Sequence, residues 1–172
     1  MKTFKGTDKI LNIEIKELDP DVNKIIIDMF AAHQMLPQLF LSSFCHYHRK
    51  VAAEYCESKG YPVAPFGFLT YSPYEILKDN FLSLTRPGDK VTLSYGSVMV
   101  HMDYMPTVIK QAEEKGVRVN IWFDGVDSKE HETLKTYKKL RDLGIETIIT
   151  NHPSIALEHN KVLIKTAAED TK

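Results

Sequence analysis

Apolar and polar residues alternate at the start of the chain. Leu11, Ile13 and Ile15 interleave with Asn12, Glu14 and Lys16, the period of a strand with one buried face. Asp19 then supplies a helix N-cap and Pro20 the first helical residue, and Val22, Ile25, Ile26, Met29 and Phe30 follow at helical spacing until Pro37. The run from Gln38 to Ser42 fits a short strand, with a helix as the alternative because its apolar residues keep no clean period. A helix with Val51, Ala52, Tyr55 and Cys56 on one face stops at Gly60, and Tyr61 to Leu69 is extended, since each of its two prolines drives its predecessor out of helical space. Ser72-Pro73-Tyr74-Glu75 has the form of a capping box opening a helix with Ile76, Leu77, Phe81 and Leu84. After a turn at Arg86–Asp89, Val91, Leu93 and Tyr95 alternate as a strand. A helix bearing Val108, Ile109 and Ala112 ends at Gly116, and Val117, Val119, Ile121 and Phe123 form the next strand. Asp127 to Glu130 caps a helix with Leu134, Tyr137 and Leu140 that ends at Gly144. Ile145 to Thr150 then reads as a strand, and Val162 to Ile164 as a short last one.

Helix and strand thus alternate with short connections. Consecutive parallel strands require crossover helices, so the pattern predicts an α/β fold: a mostly parallel sheet with helices on both faces, in three layers. No linker, repeat or low-complexity tract divides the chain, which is expected to be one domain over residues 1–172, with residues 1–35 a strand–helix appendage to the repeating core.

Composition narrows the function classes. The 172 residues carry 22 basic and 23 acidic side chains, a net charge of -1, so no global basic field advertises nucleic acid. Apolar stretches such as Ile25-Ile26-Ile27 fall far short of the ~20 residues of a membrane span, and the N-terminus lacks the apolar core of a signal peptide. Cys45 and Cys56 belong to no CxxC pair and read as reduced thiols, which points to a soluble cytoplasmic protein without membrane partners.

In open parallel sheets ligands sit at the carboxyl ends of the strands. That rule selects Ser97 after the strand ending at Tyr95, Asp124 after Phe123, and Asn151 after Thr150 as candidate substrate-binding residues. His46-Tyr47-His48 has metal-binding residue types, but residues two apart diverge on a helix and no third ligand keeps a fixed spacing, so no metal and no cofactor are expected. Asp103 in His101-Met102-Asp103 serves equally as a helix cap. Lys135, Lys138, Lys139 and Arg141 mark the solvated face of one amphipathic helix.

Three segments of the C-terminal part carry a family resemblance. They are Ala112 through Gly116-Val117-Arg118-Val119 to Asp124-Gly125, then Leu140-Arg141-Asp142-Leu143-Gly144-Ile145, then His159-Asn160-Lys161. Together they resemble half of a phospholipase D superfamily domain, over roughly Phe68 to Lys165. The resemblance implies metal-independent phosphodiesterase or nuclease chemistry, with His159 attacking phosphorus and Lys161 neutralising the nonbridging oxygens. It further implies a nucleic acid or another phosphodiester as partner. Only one H-x-K is present, so a site of two motifs requires a homodimer, and the family aspartate falls at Thr166. A second set, Phe40-Leu41-Ser42-Ser43, Ala53-Glu54-Tyr55-Cys56, Gly60 to Pro65 and Gly88-Asp89-Lys90-Val91, resembles small nucleoside deoxyribosyltransferase-like proteins. That implies a nucleoside or nucleotide ligand, with Asp103 in place of the family glutamate. A binding or assembly module is the non-enzymatic reading of the same fold.

Overall fold

The computed structural model describes residues 3–78, 83–123, 125, 128–145 and 147–169. In chain order the elements are β1 (Leu11–Glu14), α1 (Val22–Ala32), β2 (Leu39–Ser43), α2 (Tyr47–Lys59), β3 (Phe66–Thr70), α3 (Pro73–Ile76), β4 (Lys90–Ser94), α4 (Tyr95–Val100), α5 (Met105–Glu114), β5 (Arg118–Trp122), α6 (Leu134–Asp142), β6 (Thr147–Ile149) and α7 (Pro153–Glu169). The six strands lie in the sheet in sequence order, and every neighbouring pair is parallel. Residues 11–14 pair with β2 along their whole length, so the N-terminal strand is part of this sheet.

The α/β class and the parallel sheet are as expected. The helices, however, cover one face where two were expected. A right-handed crossover to the adjacent strand, repeated without reversal, always returns its helix to the same side. The sheet curls away from that side as a half-barrel. The strand sequences carry the same message: a strand covered on both faces is a continuous apolar run, whereas Val91 and Leu93 alternate with Lys90, Thr92 and Ser94. Leu41, Phe66, Phe68, Leu93 and Ile121 are fully buried with Ile27, Phe30, Cys56, Val108 and Leu140 of the helices, in a single core. The other face is concave and mostly polar. Glu14, Ser42, Gly67 and Lys90 stand in one register row, and Leu69, Thr92, Asn120 and Thr147 in the next.

Helix ends follow local chemistry. Gly116 and Gly144 have φ of 70° and 90°, open to glycine without steric penalty. At each the following residue folds back, Val117 N–H onto the Ala112 carbonyl and Ile145 N–H onto that of Leu140 (2.9 and 3.0 Å). Asp19 is not the N-cap expected and Pro20 is not the first helical residue: the Asp19 carboxylate accepts from Asp21 N–H (2.9 Å) in the turn before the helix, Asp21 holds the cap position, and α1 begins at Val22. Ser72 precedes α3 without a side-chain cap. The cap of α6 is Thr133, which accepts from Thr136 N–H, and not the Asp127–Glu130 segment, whose Asp127 lies outside the described residues. The expected last strand at residues 162–164 is helical, as part of α7. Pro153 occupies the first position of that helix, where its missing N–H costs nothing. No helix of the described residues is long and apolar enough to cross a membrane.

Candidate functional site

The carboxyl ends of the strands open into a cavity of about 350 Å³ on the concave face. Its polar lining is Asn12, Glu14, Lys16, Ser42 and Asn151, and its aromatic wall is Phe44, Tyr71, Trp122 and Phe123. Strand alternation places the polar group. With Ile13 and Ile15 turned into the helix-packed core, Asn12, Glu14 and Lys16 must face the other way. Ser42 donates to the Asn12 side-chain oxygen (2.9 Å), and Asn151 donates to the Gly125 carbonyl (2.9 Å). Glu14 and Lys16 are the only charged residues of this lining among the described residues. They stand 3.7 Å apart, both open to water, so their pairing is weak and either is free to engage a ligand.

The turn that carries Lys16 is clamped on both sides. Ser43 Oγ donates to the Ile15 carbonyl (2.8 Å), and His48 Nε2 donates to that of Glu17 (2.9 Å). Because Nε2 faces a carbonyl, it bears the proton, leaving His48 Nδ1 to accept from the Asn23 amide at 2.7 Å. Both residues are completely buried. His48 is therefore a structural tie rather than part of a solvated helix start. His46 turns elsewhere, donating from Nε2 to the Leu69 carbonyl (2.9 Å), and no cluster of metal-ligating residues occurs among the described residues.

The residues expected at the site are scattered. Asn151 lines the cavity. Ser97 lies at the start of α4, where its N–H caps onto Ser94 Oγ and its hydroxyl donates to the Tyr71 carbonyl, holding that aromatic residue in place. Asp124 lies outside the described residues. Asp103 is exposed on the turn between α4 and α5, away from the cavity lining. His159 and Lys161 sit on α7, not on a strand, and residues two apart on a helix point in different directions. His159 packs edge-on against Tyr137 and donates from Nε2 to the Glu132 carbonyl (3.1 Å). The buried Glu132 carboxylate accepts from Tyr137 and Thr150, and burial together with that carboxylate drives the Tyr137 phenol far above its ordinary value. His159 thus belongs to the packing of α6 against α7. Glu14, Lys16 and the aromatic wall were not singled out as site residues. Their one sequence signal is position, at the carboxyl ends of β1, β2, β3 and β5.

Six parallel β/α units in sequence order, with a cavity at the carboxyl mouth, are the greater part of a (β/α)₈ barrel. Several solved structures resemble the chain along nearly its whole length. A glycerophosphodiester phosphodiesterase from Parabacteroides distasonis matches 96% of this chain and 61% of its own, with a TM-score of 0.65 and 19% identity. A Galdieria sulphuraria protein assigned to the same class matches 92% and 60% (TM-score 0.65, 14% identity). The glycerophosphodiester phosphodiesterase of Agrobacterium tumefaciens matches 93% and 59% (TM-score 0.58, 14% identity). The chain therefore spans about 60% of the length of these structures, and at such identities the likeness is one of fold. No protein-family model and no curated protein sequence matches it. These structures overturn the phospholipase D and deoxyribosyltransferase resemblances. Those rested on α/β spacing common to many folds and on an H-x-K that the fold places in a helix.

Proposed function

We propose that this chain forms the ligand-binding mouth of a phosphodiesterase barrel that takes glycerophosphodiesters. One observation carries the reading. In a fold that resembles glycerophosphodiester phosphodiesterases along nearly its whole length, a carboxylate and an ammonium stand together at the catalytic end of the sheet. Lys16 neutralises the nonbridging oxygens, which matters most as charge builds on phosphorus. Asn12 and Asn151 offer neutral hydrogen bonds to the alcohol, and Glu14 takes a proton from the attacking water and returns it to the alcohol oxygen as the phosphorus–oxygen bond to that alcohol breaks.

Hydrolysis of sn-glycero-3-phosphocholine, followed by release of choline, tests this. Lys16→Ala should lower kcat/KM by about 10²–10³, and Glu14→Gln by about 10²–10⁴. Turnover indifferent to both changes would overturn the assignment. Because no histidine lines the cavity among the described residues, a second reading is binding without turnover. It predicts calorimetric binding of the diester that Lys16→Ala abolishes, with no choline released.

A further inference from the structure

We infer that the diester received at this mouth carries a single hydrocarbon chain, as in a monoacyl glycerophospholipid; the inference rests on the phosphodiester reading above. The mouth cavity continues into a second one of about 250 Å³, and Glu14, Lys16 and Phe44 line both. Beyond those shared residues the second trough is lined by Ile15, Leu18 and Cys45 together with Glu17 and Ser43. Leu18 is 76% exposed, Phe44 44% and Tyr71 64%, so large apolar groups stand uncovered beside the charged pair.

The wall's geometry selects the ligand. Phe44 and Tyr71 stack with centroids 5.0 Å apart and planes 17° from parallel, and each meets Trp122 edge-on at 5.8 and 5.4 Å. Phe44 and Tyr71 cover each other's facing sides and leave no slot between them for a nucleobase. The trough's side-chain hydrogen-bonding groups are the charged Glu14, Lys16 and Glu17 and the hydroxyl of Ser43. Its Ser43 hydroxyl already donates to the Ile15 carbonyl and accepts from Cys45 N–H. A glycerol head alone would leave Leu18 and Phe44 in water. A ligand anionic at Lys16 and apolar from Phe44 to Leu18 covers both.

Trp122 is the only tryptophan of the chain, so its emission reports on this wall alone. The full chain is titrated with hexanoyl, octanoyl and decanoyl glycerophosphocholine below their micellar concentrations, with sn-glycero-3-phosphocholine as the head without a chain and octyl glucoside as a chain without phosphate. Affinity should rise up to about fourfold per added methylene. Leu18→Ser, at a position too exposed to threaten the fold, should flatten that rise, and Lys16→Ala should weaken the whole series. If glycerophosphocholine binds as tightly as its acyl derivatives, the chain reading falls while the phosphodiester reading stands. Equal binding of octyl glucoside would reduce the wall to a nonspecific apolar patch. Adsorption to intact phosphatidylcholine vesicles without binding of monomeric lipid would replace the pocket by a surface contact. No response to any diester would overturn both readings.

Discussion

Asp89→Ala should be among the most damaging single substitutions in this chain. Asp89 sits in the turn before β4 and is 1% exposed. One carboxylate oxygen accepts from Arg49 Nε at 2.7 Å and from Arg86 N–H at 2.9 Å, and the other accepts from Phe66 N–H at 2.9 Å. One side chain therefore ties α2 to the starts of β3 and β4. Arg49 is 4% exposed, and its Nη1 is already buried without an acceptor. Removing the carboxylate strands a buried guanidinium and two backbone donors. Breaking one partner of a buried pair costs about 3–5 kcal/mol, a large part of the ~5–15 kcal/mol that holds a domain together. Urea unfolding followed by Trp122 emission and far-ultraviolet circular dichroism measures the loss. Adding Arg49→Met removes the stranded charge but should recover only part of it, because Phe66 and Arg86 N–H still lack an acceptor at about 1–3 kcal/mol each. An Asp89→Ala loss below about 1 kcal/mol, or full recovery in the double variant, would refute the reasoning.

Gly144→Ala forces a side chain into a left-handed helix end (φ 90°), though with room around it, since the added Cβ would approach Ile109 no closer than 3.7 Å. It should cost about 1 kcal/mol, read as a fall of about 2–4 °C in the thermal midpoint. An unchanged midpoint would show that the cap does not need glycine. Burial pushes the Cys56 thiol above its ordinary value of 9.0, so it should resist Ellman's reagent at pH 8 until the protein unfolds, whereas the half-buried Cys45 reacts first. Since the fold favours the neutral thiol, its contribution to stability is full below the unfolded value and is lost as pH rises through the higher folded one. A Cys56→Ala variant should lose that part of the alkaline decline.

Local elements were legible because local chemistry sets them. The glycine stops at Gly60, Gly116 and Gly144 and the alternation in β4 and β5 carry their own structural meaning. The winding of the sheet was not legible, because periodicity identifies strands and not their neighbours. Even so, the polar residues of Lys90-Val91-Thr92-Leu93-Ser94 marked one face that no helix covers. The end of the chain misled for a physical reason: Val162-Leu163-Ile164 is too short a run to have a period, and the better signal was Pro153 opening a helix nine residues before it. The site suffered from the same ambiguity. Glu14 and Lys16 alternate with buried isoleucines and read as an ordinary solvent face. Only the curl of the sheet turns that face into the concave mouth, beside aromatic residues delivered by strands 28 or more positions away.

The most direct test of the account is a crystal structure of the chain grown with sn-glycero-3-phosphocholine. The account places the phosphate within hydrogen-bonding distance of Lys16 Nζ, in the cavity between Asn12 and Asn151, with the glycerol or choline arm against the wall of Phe44, Tyr71 and Trp122. A diester bound beside His159 and Lys161 on α7, or an empty mouth at saturating diester, would contradict it.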